Sequence, residues 1–341
     1  MMIIPQIINS VAPTRICDIG GWTDTWFAKY GSIFNIAIYP YVEVQIKSFQ
    51  EGEREKRLTV NLENFSDTLE LDPEDIKYDR YPIIEAAIDS VHIPKEISFV
   101  VNIYSSMPPG ASTGTSGAIS VALIGALDAL TKGRLSIAEV ARLAHEVETV
   151  KLGQQSGIQD QLCSAYGGIN FIQMMQYPYA SVSPITVSNA IWWELERRLL
   201  LIYIGSPHNS SKVHQKVIER LGSDASEHKL FHELRQLAVK ARNAVYGGDF
   251  AELGQVMDAN TNVQRQLHEG LVCYQFEEII SICRQYACLG CKVNGAGGDG
   301  GTITTITDGD TAKKRKLMVE LEDKGYQIIP IYLARQGLRV W

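Results

Sequence analysis

A chain of 341 residues is longer than one typical core supports, and its length favours two domains. With 45% hydrophobic and 21% charged residues it reads as an ordinary soluble globular protein, not a disordered one. The net charge of −7 speaks against a nucleic-acid partner, because no basic excess is present to neutralise a phosphate backbone, although small anions held by local N–H groups stay open.

The opening residues, MMIIPQIINS, have neither the basic start nor the apolar core of a signal peptide. The longest apolar run, 118–127, is far short of a membrane span. A cytoplasmic location follows as the expectation, with no membrane partner and with the six cysteines as reduced thiols. From residue 8 to 46 the chain is β-rich, and 48–82 is polar with short strands and turns. ISFVVNIYSSM predicts a strand, and SGAISVALIGALDALT a helix too apolar all round to face water. LSIAEVARLAHEVETVKLG is the clearest helix: Ser136 and Glu139 fit a capping box, and Ile137, Val140, Ala141, Ala144 and Val147 define an apolar stripe. AYGGINFIQM reads as a strand.

Composition shifts near 186–195, before the strand RLLLIYIG. Four amphipathic helices are then expected (SKVHQKVIERL, SEHKLFHELRQLAVKARNAVYGG, DFAELGQVMDANTNVQRQL and YQFEEIISICRQYA). CKVNGAGGDGGTITTIT predicts a hairpin, followed by a helix over DTAKKRKLMVELEDKG and strands from YQIIPIYLA to LRVW. The fold class is therefore α+β in both halves. The halves divide into 1–190 and 191–341, with the LRVW strand free to return to the first, so the border need not be clean. Cys288 and Cys291 form CLGC, which a redox pair or half a zinc site could use. With no second close pair and apolar neighbours, thiols packed in a core at a helix end are the favoured reading.

PPGASTGTSGA, residues 108–118, lies between a strand and a helix. A helix N-terminus presents unpaired N–H groups and partial positive charge, so a glycine-rich loop there suits phosphate. Gly110 and Gly114 would let the backbone approach an oxyanion, and Ser112, Thr113, Thr115 and Ser116 add hydroxyls. The loop is neither a Walker motif nor GxGxxG, and by spacing alone a tight turn capping a buried helix is equally good. Glu148 falls near the centre of its helix's apolar stripe while Glu146 falls opposite, so Glu148 needs a partner: a cation, Arg142 or Arg15. Asp160, in QQSGIQDQ, sits in a turn-like stretch and is either a turn former or a base. Together these residues form a set suited to phosphoryl transfer.

Three segments in this order resemble the GHMP kinase superfamily: APTRICDIGGWTD (12–24), PPGASTGTSGA and NGAGGDGG (294–301). The resemblance implies a two-lobed fold, with an N-terminal ATP-binding lobe, a C-terminal ferredoxin-like lobe and the active site between them. It places ATP phosphates on Pro109, Gly110, Ala111, Ser112, Thr113, Gly114, Thr115 and Ser116, and Mg2+ on Ser116 and Glu148. It makes Asp160 the catalytic aspartate with Arg15 beside it, and Asp24, with Gly21 and Trp22, the sugar-binding group. Gly295, Gly297 and Gly298 fall in the glycine motif that shores up the site. Some of the adenine contacts are expected within 48–82, where nothing in the spacing identifies them.

The Gly21-Trp22 pair replaces the Glu-His usual in galactokinases and is closer to D-glycero-D-manno-heptose 7-phosphate kinases and the kinase domain of L-fucokinases. Ser112 and Gly117 also depart from the usual loop. SPHNSSKVH (206–214) lacks the arginine those kinases tend to carry, which weakens the case for a substrate bearing a second phosphate. Lys29, Lys151 and Lys212 are possible substitutes but read better as surface charges, and His208 and His214 as polar surface or substrate-lobe residues. The function implied is an ATP-dependent sugar kinase acting on the anomeric C1 hydroxyl of a free sugar or heptose phosphate, with ATP and Mg2+, and compatible with a homodimer. The alternatives are a kinase for mevalonate or homoserine, against which Asp24 argues, and a catalytically silent sugar sensor, against which Ser116, Glu148 and Asp160 argue.

Overall fold

The computed structural model describes residues 6–50, 53–131, 133–206 and 210–341. Strands β1 (Ile7–Ile19), β2 (Gly31–Gln50), β3 (Leu58–Leu62), β4 (Asp67–Leu71), β5 (Ile97–Ser105), β6 (Ile169–Gln176) and β7 (Tyr179–Pro184) build the N-terminal sheet. Along β2, Val42, Val44 and Ile46 are buried while Glu43, Gln45 and Lys47 face solvent, the period of two that fixes which side meets the core. Its N-terminal half pairs with β6 and its C-terminal half with β5, while β1 runs antiparallel alongside both. β3 joins β5 in parallel.

Helices α1 (Pro82–Ile88), α2 (Thr115–Leu130), α3 (Ile137–Glu146) and α4 (Gln159–Tyr166) belong to the same lobe. α2 is buried on nearly every side, with Leu123, Ile124 and Leu127 fully enclosed. Each such side chain contributes about 1.5–3 kcal/mol by leaving water, which is why this helix has no polar face. The capping box of α3 is present in full, Ser136 accepting from Glu139 N–H and Glu139 reaching back to Ser136 N–H. Its stripe starts one turn later than the sequence pattern suggests: Val140, Ala141, Ala144 and Val147 are buried, but Ile137, at the first helical position, is 39% exposed.

Past α5 (Asn189–Arg198) come β8 (Leu199–Tyr203), α6 (Ser210–Leu221), α7 (Lys229–Gly247), α8 (Phe250–Leu267) and α9 (Tyr274–Gln285). Then follow β9 (Gly290–Val293), β10 (Thr302–Ile306), α10 (Thr311–Asp323), β11 (Gln327–Ile329), β12 (Tyr332–Leu333) and β13 (Arg339–Val340). The second sheet has the antiparallel order β11-β8-β10-β9, the arrangement of a ferredoxin-like lobe, and β9 and β10 form the hairpin expected around the glycine motif. Cys283 lies in the last turn of α9 and Cys288 in the loop past its end, whereas Cys291 is a strand residue; all three are free thiols.

One apolar cluster joins the lobes. Ile16, Phe34 and Ile36 of the first sheet pack with Phe231 and Leu234 of α7 and with Val256 and Met257 of α8. β12 pairs with β2 and β13 with β1, so the end of the chain lies in the N-terminal sheet. No helix among the described residues is long and apolar enough to cross a membrane.

Candidate active site

The PPGASTGTSGA loop connects β5 to α2. Gly114 precedes the helix at φ 71°, a left-handed conformation that glycine adopts without strain, and no side chain caps the helix. Its first N–H groups therefore keep no side-chain partner and carry the positive end of the helix dipole. Ser112 is also left-handed, at φ 59°, and its carbonyl accepts from Arg15 Nη1 at 2.6 Å. The glycine motif packs behind: Thr302 donates to the Ala111 carbonyl at 2.7 Å, and a side chain at Gly301 would overlap the Ser112 hydroxyl.

Asp160 stands in the first turn of α4, which corrects the turn-like assignment. The irregular stretch ends at Ile158, the N-cap of α4, and Ile158, Leu162 and Ala165, set inward at helical spacing, carry a short helix. Gly114 and Gly117 let this helix approach the loop, since a Cβ at either would come within 3.2 Å of Asp160 atoms. Across the cleft, Arg15 of β1 donates from Nε to Asp160 Oδ1 at 2.8 Å. Burial works against the Arg15 charge, but Asp160 and Asp18 outweigh it and hold the guanidinium charged above its ordinary pKa.

Nothing in the sequence singles out Asp18 or Lys292, yet both are buried behind Arg15. Asp18 Oδ1 lies 3.6 Å from Arg15 Nη1 and 3.3 Å from Lys292 Nζ, and it accepts from the Gly295 N–H at 3.0 Å. Burial lowers the Lys292 pKa and Asp18 opposes that shift.

Asp24 is buried at the other end, where Gln159 N–H donates to Oδ2 at 3.2 Å. Burial first, then the nearby Asp160 charge, push its pKa up to about 6. Trp22 packs against His214 with ring centroids 4.7 Å apart. Trp22 Nε1 and Gln159 Oε1 are buried without a hydrogen-bond partner. Gly21 lies behind this surface against Asp18 and Gln159.

Glu148 belongs to a π-helical turn, Val147–Lys151, that continues α3 and keeps its carboxylate buried while Glu146 faces out to pair with Arg142. Ser156 donates to Oε2 at 2.5 Å, and Oε1 has no hydrogen-bond partner. Burial raises the Glu148 pKa, and the Ser156 and Ser116 hydroxyls offset it only in part. A buried, unpartnered carboxylate oxygen near a serine hydroxyl fits a hard divalent cation. One carboxylate and one hydroxyl suffice for Mg2+ that is held mainly by substrate phosphates.

These groups surround one cleft of about 590 Å3 that includes Arg15, Asp18, Trp22, Asp24, Glu148, Asp160 and loop residues 110–116. On the far side of the loop an apolar pocket of about 330 Å3 is lined by Leu62, Phe65, Tyr81, Ile84, Ile103 and Pro109, and it shares Gly110, Thr115 and Ser116 with the cleft. Of the glycine motif only Gly295 and Ala296 reach the cleft; Gly297 packs closely on Leu271, whose carbonyl accepts from the Gly298 N–H at 2.9 Å. Lys29 and Lys151 are committed to Asp224 and Asp89 outside the cleft. His214 lines it, whereas His208 and the Lys212 side chain lie outside the described residues.

The sequence profile of the GHMP kinases N terminal domain matches residues 82–168, and that of the GHMP kinases C terminal domain matches 234–321. The chain is 25% identical to the D-glycero-alpha-D-manno-heptose 7-phosphate kinase of Campylobacter jejuni, covering 98% of this chain and 99% of that one. It is also 25% identical to the bifunctional fucokinase/GDP-fucose pyrophosphorylase of Arabidopsis thaliana, over 93% of this chain and 31% of that larger protein. The crystal structure of a D-glycero-D-manno-heptose 1-phosphate kinase from Bacteroides thetaiotaomicron shares the fold, with a TM-score of 0.76 at 21% identity over 98% of both chains.

Proposed function

Since this chain belongs to the GHMP kinases, phosphotransferases with an alcohol acceptor, we propose that it is an ATP-dependent kinase that phosphorylates the anomeric hydroxyl of a free sugar. The observation that carries this reading is the recess beside Asp160. There the Trp22 indole N–H and the Gln159 amide oxygen are buried without partners beside the Asp24 carboxyl, whose Oδ2 accepts from the Gln159 N–H. Hydroxyl groups both donate and accept, so a polyol satisfies all three, each bond to the carboxylate contributing about 1.5–3 kcal/mol. A carboxylate substrate such as mevalonate would bring like charge to Asp24.

The cleft's charged lining supports an unphosphorylated sugar. Asp18, Asp24, Glu148 and Asp160 face Arg15, the one Lys or Arg lining the cleft among the described residues, and Arg15 is already shared by two carboxylates. Among the described residues, a second phosphate on the substrate therefore meets no spare Lys or Arg there.

In this reading the loop and the α2 N-terminus hold the ATP phosphates, and the apolar pocket takes the adenine, in line with its contributions from Leu62, Phe65 and Tyr81. Ser116 and Glu148 would hold Mg2+, which neutralises phosphate charge when bound. Asp160 orients the sugar hydroxyl and accepts its proton as the oxygen attacks the γ-phosphorus; the bond to the β-phosphate oxygen breaks and ADP leaves. Arg15 fixes Asp160 and stands ready for the transferring group.

The test is ADP release with Mg-ATP over a panel of free sugars and sugar phosphates: galactose, L-fucose, L-arabinose, glucuronate, mannose, N-acetylhexosamines and a heptose 7-phosphate. Asp160→Asn is the blank. Turnover on a free sugar that the blank lacks supports the proposal. Turnover confined to the heptose phosphate, or silence on every sugar, overturns it.

A further inference from the structure

Four charges form an unbroken line across the two lobes, open to the cleft at Asp160 and buried through Arg15, Asp18 and Lys292. Arg15 Nε meets Asp160 at 2.8 Å, Arg15 Nη1 lies 3.6 Å from Asp18, and Asp18 lies 3.3 Å from Lys292 Nζ. Side-chain exposure is 5% for Arg15, 2% for Asp18 and 1% for Lys292, so water screens none of the inner contacts. Alternation of sign is the important feature. Arg15 lies between two carboxylates: Asp160, the proposed base, and Asp18, which borders the same cleft and is the one paired with Lys292.

We propose that Asp18 and Lys292 are a positioning pair for the phosphoryl-transfer site, with Lys292 neutralising Asp18 so that the Arg15 guanidinium stays directed at Asp160. The inference rests on the kinase reading above. Without Lys292, Asp18 is an uncompensated buried anion, and the strongest cation within its reach is Arg15. Without Asp18, Lys292 is an uncompensated buried cation that repels Arg15 from behind. Either loss moves the guanidinium relative to Asp160, whereas loss of both leaves the Arg15–Asp160 contact alone with balanced charge.

The backbone around the pair is arranged to transmit this. Asp18 also accepts from the Gly295 N–H at 3.0 Å, and the Asn294 side-chain oxygen accepts from the Cys17 N–H at 3.1 Å. Lys292 donates to the Val293 carbonyl as well. The pair therefore joins β1 to β9 directly behind the loop, with Gly295 itself lining the cleft. A Cβ at Gly295 would lie 3.5 Å from Arg15 Nη2 and 3.1 Å from Ser112, so the C-terminal lobe also forms part of the wall against which Arg15 is set.

A pair that only fastened the lobes together would change stability and leave the reaction centre alone, and this difference is measurable. Asp18→Asn, Lys292→Met and the charge-balanced double variant are compared in the full-length protein. The first readout is the Nε–H resonance of 15N-labelled Arg15, assigned by its loss in Arg15→Lys. It needs no substrate and so stands even if no sugar of the panel is turned over. Each single variant should shift this resonance and speed its exchange with water, and the double should return both toward the wild type.

The second readout is steady-state kinetics on the sugar found by the panel. Each folded single variant should lose about 10- to 100-fold in kcat with both KM values nearly unchanged, the size expected for misplacing a reacting group by a fraction of an ångström. The double variant should recover most of that loss. An unchanged Arg15 resonance in the singles overturns the proposal, as does a double variant with a resonance no nearer the wild type than either single. If a single variant fails to fold, the resonance of the double decides: a wild-type position supports the pair's charge balance, and a displaced one rejects it.

Discussion

Gly157 lies directly over the Asp24 carboxylate: a methyl group on Gly157 would overlap Asp24 Oδ2. The loop between the π-helical turn and α4 therefore closes one side of the recess proposed for the sugar, and Asp24 is held from above by this glycine and by the Gln159 N–H.

Gly157→Ala should displace Asp24 and raise the KM for the sugar about tenfold or more, with the KM for ATP unchanged, since overpacking of this kind costs about 1–3 kcal/mol. Equal changes in both KM values would show that the loop does not belong to the sugar side.

Asp24 binds its proton more tightly in the folded chain than in the unfolded one, with its pKa moved from 3.8 to about 6. The stability from this group is fully present below pH 3.8 and is lost as the pH rises to about 6. The loss is on the order of 3 kcal/mol at most, and Glu148, shifted the same way, adds to it. Asp24→Asn removes this titration. Thermal unfolding should therefore show the variant gaining on the wild type as the pH rises across that interval, then levelling. A difference that stays flat there contradicts the buried-acid assignment.

Asp160→Asn keeps the shape of the α4 first turn and removes the proton acceptor. Turnover should fall by about 100- to 10,000-fold, the usual share of a general base, with ATP binding retained. Calorimetry with ATP measures the second half; loss of ATP binding would mean that Asp160 acts by holding the loop.

Glu148→Gln should raise the Mg2+ concentration for half-maximal turnover by about tenfold or more. Paramagnetic Mn2+ gives an independent reading, because binding in the presence of ADP should weaken in parallel. Unaltered Mn2+ affinity would remove Glu148 from the metal site.

Ile83 lines the apolar pocket and is half-buried, so Ile83→Trp should fill space required by adenine. The KM for ATP should rise by about tenfold or more, the cost of an overpacked site, while that for the sugar holds. A sugar-side effect would show that the base binds elsewhere.

Much of this was legible in the sequence for identifiable physical reasons. The alternation of β2, the capping box of α3 and the glycine hairpin of β9 and β10 are local patterns, and local patterns survive without tertiary information. Glu148 was found by its angle on a helix, even though a π-helical turn actually presents it. Asp160 reads as a loop residue because α4 is two turns long and its polar first residues hide the inward spacing of Ile158, Leu162 and Ala165. Asp18 and Lys292 stayed invisible for a different reason. They are 274 positions apart, and each alone looks like a surface charge; only the pairing of the lobes makes them a buried ion pair. Trp22 could be read as part of a motif, but its unpartnered indole N–H is a property of the packed cleft.

The return of the chain to its beginning affects how this protein must be made. Asn9 and Trp341 exchange backbone hydrogen bonds of 2.8 and 3.0 Å, β13 pairs with β1, and the Leu338 side chain occupies the space over Gly125 in α2. During synthesis the first lobe therefore emerges with the β1 edge at residues 9–11 bare and a notch in its central helix. Both defects persist until the second lobe has left the ribosome. A nascent chain stopped between the lobes would therefore display an open strand edge, the feature most exposed to pairing with its neighbours.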